Sequence, residues 1–137
     1  MTLEQEMVRA FHLKYGHKVA KAPTTDTAEV RMFRARLVVS EAAEFLDACS
    51  KGDLVEMADA LADILYVVYG AAVTFGIDLE QVFAEVHRSN MTKSQEKEGD
   101  GKTVKGPDYV PPDIRSIIVK QMESKFVSGK GDNCYKP

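Results

Sequence analysis

Two short acidic motifs constrain this chain more than any other feature, because each places carboxylates on one stripe of a predicted helix. The first is Glu41-Ala-Ala-Glu44, and the second is Glu56-Met-Ala-Asp59, with Asp63 one turn further on. At about 100° per residue, Glu41 and Glu44 fall on the apolar side of their helix. Ionised carboxylates are rarely buried alone, since desolvation costs several kcal/mol per ion. The pattern therefore indicates a cation between the helices.

A short loop separates the two helices. Ser50-Lys51-Gly52-Asp53 supplies a glycine stop and an aspartate N-cap, so the helices are expected to be antiparallel neighbours. Folding about this loop brings Glu44 level with about residue 58, and all five carboxylates are then expected to converge on one spot. Arg34 lies two turns before Glu41 on the same stripe and is a candidate cationic partner.

Helical patterns continue along the rest of the chain. Thr2 to Gln5 resembles a capping box for a first helix, and Asp26 with Glu29 is expected to cap the second. Later helix boundaries are expected at Gly76, at Asp78 and at Pro111-Pro112-Asp113. The glycine-punctuated stretch 94–110 is expected to be a loop that can contain a short hairpin, and a mobile lid carrying Lys102 and Lys105 is a reasonable use of it.

These patterns predict an all-α fold, an antiparallel helical bundle, with one domain over residues 1–123 and a polar, frayed tail over residues 124–137. The helix after Asp53 is apolar on both sides beyond Asp63, so its surface exceeds what one short bundle covers. We therefore expect a core completed by oligomerisation, in a homodimer or homotetramer.

The acidic motifs contain no His or Cys, which favours a hard ion, Mg²⁺ or Mn²⁺, over zinc. Asp59 and Asp63, at i and i+4, repel each other by a few tenths of a kcal/mol unless a cation lies between them. Glu56 has an equally good alternative role, because it stands three residues after Asp53 and can complete a capping box.

Several other polar and aromatic residues can be interpreted either as structural or as functional. The segment His87 to Lys93 can reach a phosphate, or its cations can simply complement a helix dipole. His12 and His17 are expected at the surface, and Tyr66 and Tyr69 are expected in the core. The pattern contains no Gly-rich phosphate loop and no nucleophile with a neighbouring base, so covalent catalysis is not expected.

Composition excludes several classes of partner. A net charge of −3 without a basic cluster argues against a nucleic-acid polymer. Cys49 and Cys134 lie far apart without metal or redox spacing, which is typical of reduced thiols in a cytoplasmic protein. The uncharged run from Ile64 to Ile77 is too short to span a bilayer, so no membrane is expected.

The order of these motifs resembles the all-α nucleoside triphosphate pyrophosphatases, the superfamily that contains MazG, the dimeric dUTPases and phosphoribosyl-ATP pyrophosphatase. Its signature, a Glu-x-x-Glu helix followed by a Glu-x-x-Asp helix, is matched by Glu41 and Glu44 and by the segment 56–63. The stretches 60–70, 76–78 and 82–93 are most similar to a MazG-like bacterial and phage branch. The similarity extends over residues 30–118.

Two positions depart from the family pattern, because Ala60 and Ser40 stand where the family has glutamates. Asp59, or the Glu56 and Asp59 pair shifted by one turn, is expected to substitute.

The resemblance implies a magnesium-dependent hydrolase that cleaves a nucleoside triphosphate between the α and β phosphates, in nucleotide-pool house-cleaning. It implies Glu41 as the catalytic base. The implied metal ligands are Glu41, Glu44, Asp59, Asp63 and Glu56. For Glu56 the capping box with Asp53 remains the alternative role. The implied substrate-binding residues are Asn90, Lys93, Lys102, Lys105 and Arg34. Two alternatives are a non-catalytic helical module that binds a divalent ion, and a phosphoribosyl-ATP pyrophosphohydrolase.

Overall fold

The computed structural model describes residues 1–128, which are helical without regular strands. The helices are α1 (Leu3–Lys14), α2 (Ala28–Lys51), α3 (Leu54–Phe75), α4 (Leu79–Asn90) and α5 (Ile114–Ser128). The all-α prediction is confirmed. Because α5 continues through residue 128, the first part of the predicted tail is helical, and the remainder, residues 129–137, lies outside the described residues.

The chain divides into two compact units, Met1–Asp78 and Leu79–Pro137. Unit 1 contains α1, α2 and α3, and unit 2 contains α4 and α5. The extent of a single domain over residues 1–123 stays a prediction.

The turn between α2 and α3 forms as its sequence predicts. Gly52 has φ 68° and ψ 24°, in the left-handed region that favours glycine, and its N–H donates to the carbonyl groups of Ala48 and Cys49. Asp53 accepts from the N–H groups of Val55 and Glu56 at 2.9 and 3.1 Å. The glycine ends one helix and the aspartate begins the next.

The start of α2 differs from the prediction, because Thr27 rather than Asp26 is its N-cap. The Thr27 hydroxyl accepts from the Val30 N–H at 3.3 Å. Asp26 adopts φ 54° and forms an ion pair with Lys18, while its Oδ1 accepts from the Thr27 N–H at 2.7 Å. Asp26 therefore forms its contacts within the loop before α2 and does not cap that helix.

In unit 1, α3 packs against both α1 and α2. The most buried apolar side chains are small, which lets the helix backbones approach closely; they are Val8, Ala48, Ala60, Ala72 and Val73. Gln5 is also buried and donates from its side-chain amide to the Ile77 carbonyl at 2.7 Å, which ties the start of α1 to the end of α3. The two helices therefore run antiparallel.

Much apolar surface remains exposed in the single chain. On α3, Leu61 and Leu65 are 47% and 56% exposed, and Val39 and Leu46 are exposed on α2. By length and composition alone α3 qualifies as a membrane span within the described residues, a test that the core helix of a globular protein also passes. The exposed surface agrees with the expected oligomer, which stays a prediction.

Unit 2 begins with α4 and continues into a short hairpin before α5. The Ser94 N–H donates to the Val104 carbonyl at 3.0 Å, and the Glu98 N–H donates to the Lys102 carbonyl at 2.7 Å, around an antiparallel bridge between residues 97 and 103. The hairpin expected within stretch 94–110 is confirmed.

A hydrogen-bonded cluster joins α4 to the start of α5. Arg88 makes a two-pronged contact with Glu85 at 2.7 and 2.8 Å, and the Asp113 N–H donates to Glu85 Oε1 at 2.8 Å. The Arg88 guanidinium, followed by the Asp113 N–H, lowers the pKa of Glu85 to about 2. Asp113 also accepts from the Ser116 N–H at 3.1 Å, so α5 begins where the Pro-Pro-Asp sequence predicts.

Candidate active site

An acidic groove of about 540 Å³ runs between α2 and α3 in unit 1. Its lining contains four carboxylates and the small residues that separate the helices. The lining residues are Ser40, Ala43, Glu44, Asp47, Ala48, Glu56, Asp59 and Ala60. Because residues 40–48 face residues 56–60, α2 and α3 are antiparallel neighbours, as the short loop predicts.

Glu41 is half-buried next to other carboxylates. Burial raises its pKa, and the negative charges of Glu44 on its own helix and Asp63 on α3 raise it further. The sequence predicts this juxtaposition, since folding about the short loop brings the acids of α2 to the level of those of α3. A carboxyl group with a raised pKa holds a proton at higher pH than an ordinary glutamate does, which is useful in a general base.

Four of the five predicted ligand acids lack counterions in the described part of the chain. Glu41, Glu44, Asp59 and Asp63 make no hydrogen bond or ion pair within residues 1–128. Their oxygen donors suit a hard divalent ion. Within the same residues, no three His, Cys, Asp or Glu side chains are gathered closely enough to ligate one ion. The expected convergence on one spot is therefore not observed, and ligation requires the side chains to turn toward each other.

Glu56 lies in the groove but does not form the predicted capping box. Its carboxylate is 3.5 Å from Lys51 Nζ, while the Asp53 N–H donates to the Ala48 carbonyl at 3.4 Å. Its role as a metal ligand stays a prediction.

Asp47 is a groove residue that the sequence reasoning missed. It lies one turn after Glu44, so the i, i+3 spacing from Glu41 through Glu44 is the signal that identifies it. Lys51 is paired with it at 2.7 Å. Ala60 also lines the groove, so a glutamate there would point into it; the neighbouring Asp59 supplies a carboxylate to the same lining.

Arg34 forms no ion pair with Glu41 within residues 1–128. Its Nη1 is 3.3 Å from the position that a Cβ would occupy at Gly70, and His12 Nε2 lies at the same distance. The prediction that His12 is at the surface is wrong, because its side chain is 3% exposed. His17 is exposed as expected, whereas Tyr66 is 41% exposed and contacts Phe11 edge to face.

The remaining predicted substrate-binding residues belong to unit 2. Asn90 is the last residue of α4, and its carbonyl accepts from the Lys93 N–H at 3.2 Å. Lys102 forms an ion pair with Asp100 at 2.9 Å, and Lys105 Nζ lies 5.0 Å from the centre of the Tyr109 ring. Their contact with substrate stays a prediction.

The all-α fold and the two facing acidic helices place this protein in the MazG-like superfamily of pyrophosphohydrolases. The family model for phosphoribosyl-ATP pyrophosphohydrolase, PRA-PH, matches residues 8–90, which is more than half of the chain. The chain belongs to this family.

A shorter similarity links the chain to a viral protein. Over 47 residues, 34% of this chain, it is 47% identical to an uncharacterized protein of Acanthamoeba polyphaga mimivirus. The matched segment spans 19% of that relative's length. This similarity therefore does not indicate a substrate.

Proposed function

We propose that the protein is a magnesium-dependent nucleoside triphosphate pyrophosphohydrolase, which releases a nucleoside monophosphate and pyrophosphate. One observation carries the proposal: half-buried Glu41 faces the charges of Glu44 and Asp63, and none of the three has a cationic partner within residues 1–128. Mutually repelling carboxylates at a helix interface are stabilised when a cation binds between them.

The side chains that would hold Mg²⁺, or Mn²⁺, are the oxygen donors of the two acidic helices. They are Glu41, Glu44, Asp59, Asp63 and Glu56. When bound, such an ion neutralises phosphate oxygens and lowers the pKa of a coordinated water.

Glu41 is the proposed general base. Its burial and its acidic neighbours raise its pKa, so the carboxylate takes a proton more readily than an exposed glutamate does. It would accept the proton of the water that attacks the α-phosphorus in line, and the leaving group is pyrophosphate.

The proposed phosphate-binding residues are Arg34 of unit 1 and, from unit 2, Asn90, Lys93, Lys102 and Lys105. We also propose a homodimer or homotetramer, because the single chain leaves apolar surface of α2 and α3 exposed. The proposed setting is cytoplasmic, without a membrane partner, and the net charge of −3 without a basic cluster argues against a nucleic-acid polymer.

Phosphoribosyl-ATP is the second candidate substrate, and the match to its hydrolase family favours it. Both substrates are cleaved at the same anhydride bond, so the carboxylates have the same roles in both reactions. A panel of canonical and modified triphosphates with phosphoribosyl-ATP, assayed for pyrophosphate release, ranks the two. If no member of the panel is hydrolysed, the non-catalytic ion-binding module is favoured instead.

The roles of the carboxylates are tested with variants that keep shape and remove charge. We expect Glu44→Gln and Asp63→Asn each to lower the pyrophosphate release rate by about 10²-fold or more, as is typical for loss of groups that act on the transition state. Their metal-free melting temperatures should equal or exceed that of the wild type, since a repulsion is relieved.

Glu29→Gln is the matched control, because it makes the same chemical change in the first turn of α2. It should leave the rate unchanged. Full turnover by Asp63→Asn would show that the catalytic assignment is wrong.

A further inference from the structure

Gly70 is buried in the last third of α3, and polar side chains of both α1 and α2 lie against it. Arg34 Nη1 from α2 and His12 Nε2 from α1 each lie 3.3 Å from the position of a Cβ at this residue. Glycine weakens a helix interior relative to alanine, so its presence here is explained by the space that the two side chains need. The two nitrogens face the same point from different helices.

The protonation of His12 follows from its surroundings. Its Nδ1 is 2.9 Å from the Lys18 carbonyl oxygen, and since a carbonyl can only accept, Nδ1 carries the hydrogen. In the neutral ring, Nε2 is therefore an acceptor. Burial lowers the pKa of His12, and the charges of Arg34 and His17 lower it further against the effect of the Lys18 bond. The ring thus presents a lone pair on the side of Gly70 and Arg34.

Arg34 is a partly buried cation without an anion in the described part of the chain. Burial lowers its pKa, its Nε is buried without a hydrogen-bond partner, and it forms no ion pair within residues 1–128. The Phe33 ring lies 5.5 Å from its guanidinium carbon. A partly buried guanidinium without an ion-pair partner is able to bind an anion from outside these residues.

The cation lies in register with the acidic residues of the same helix pair. Arg34 is seven residues from Glu41 on α2, and Gly70 is seven residues from Asp63 on α3. Seven residues return nearly to the same helix face and rise about 10 Å. A substrate lying along the α2–α3 interface can therefore reach both sets of side chains.

We propose that Arg34 and His12 form an anion subsite that receives the terminal phosphates of the substrate, with His12 as a positioning residue that orients the guanidinium over Gly70. The inference rests on the proposed function, in which the α-phosphate of the substrate lies beside the carboxylates of Glu41, Glu44 and Asp63. A guanidinium binds two phosphate oxygens at once, and the neutral His12 ring adds no competing donor toward it. The ligand class is pyrophosphate and the leaving end of a triphosphate.

The first experiment measures binding of inorganic pyrophosphate to the full chain by calorimetry. Arg34→Gln should weaken this binding by about tenfold or more, the loss expected for a charge-assisted hydrogen bond. Arg36→Gln is the matched control, since it removes the same charge from the same helix, where Arg36 is exposed and bonded to the Met32 carbonyl of its own helix. It should bind pyrophosphate as the wild type does.

The second experiment uses two amide substitutions of His12 to distinguish a role in positioning Arg34 from a role in stabilising the fold. His12→Asn keeps a donor near Nδ1 for the Lys18 carbonyl and loses the Nε2 acceptor, whereas His12→Gln places an acceptor near Nε2. We expect His12→Asn to raise KM about fivefold with kcat nearly unchanged, and His12→Gln to restore KM. A purely structural histidine would instead change the melting temperature without this KM difference, and that result would overturn the positioning role.

The outcomes distinguish the subsite from the proposed function. If the wild type hydrolyses triphosphates and Arg34→Gln keeps both its KM and its pyrophosphate affinity, the subsite is wrong and the function stands. If no triphosphate is hydrolysed but Arg34→Gln loses pyrophosphate binding, the subsite stands and the function is wrong. Where Arg34→Gln does not fold, Arg34→Lys replaces it. Lysine keeps the positive charge but lacks the planar guanidinium that binds two phosphate oxygens at once, so wild-type pyrophosphate affinity in this variant would overturn the subsite.

Discussion

Gly76 and Gly52 are a matched pair of helix-ending glycines, and comparing them tests how closely the loop before α2 packs against the end of α3. Both end a helix in the left-handed region, with φ 68° at each and ψ of 25° and 24°. They differ in their surroundings, because a Cβ at Gly76 would lie 2.3 Å from the Ala22 carbonyl oxygen, whereas a Cβ at Gly52 meets nothing within 4 Å. The loop before α2 therefore lies against the end of α3, where the Thr24 N–H donates to the Phe75 carbonyl at 3.0 Å.

The structure predicts different destabilisation for the two alanine variants. Gly52→Ala has the left-handed backbone penalty alone, about 1–2 kcal/mol. Gly76→Ala has the same penalty plus about 1–3 kcal/mol of overpacking, because the obstructing atoms are backbone and cannot rotate away. At roughly 3–5 °C per kcal/mol for a chain of this size, Gly76→Ala should melt about 3–15 °C below Gly52→Ala.

Thermal unfolding followed by circular dichroism measures this difference at one protein concentration without added metal. Gly52→Ala controls for helix capping and for the added methyl group. Equal melting temperatures of the two variants would refute the reasoning, since the packing of the Ala20 to Ala22 segment on Gly76 would then contribute nothing.

Three further predictions concern metal, acid and assembly. Millimolar Mg²⁺ or Mn²⁺ should raise the melting temperature, since a ligand at a hundredfold excess over Kd adds about 2.7 kcal/mol; an unchanged melt would contradict the metal site. Glu85 has its pKa lowered to about 2 by Arg88 and Asp113, so its stabilisation is present above its ordinary value of 4.5 and is lost as pH falls toward 2. The melting difference between wild type and Glu85→Gln should therefore shrink below pH 4.5, and a constant difference would contradict the pairing. Sedimentation at micromolar concentration should give a multiple of 15.2 kDa, because exposed Leu61 and Leu65 need a partner surface; a monomer would exclude the proposed oligomer.

The helix boundaries were predictable because their signals act within one turn. Gly52 and Gly76 end helices through their own backbone conformation, and Asp53 and Asp113 cap helices through N–H groups two or three residues away. The start of α2 was not predictable from such a signal. Asp26 has the side chain of a good N-cap, but its ion pair with Lys18 engages it in the preceding loop and leaves the cap to Thr27.

By itself, the sequence determined that carboxylates of two antiparallel helices face each other, since helix periodicity and a short loop are enough to bring Glu41 near Asp63. Only the tertiary structure decided that His12 is buried and that the Arg34 guanidinium lies against Gly70. The reason is physical: periodicity states which face of a helix a residue occupies, whereas the space left by a small residue on the neighbouring helix decides which side chain enters that face.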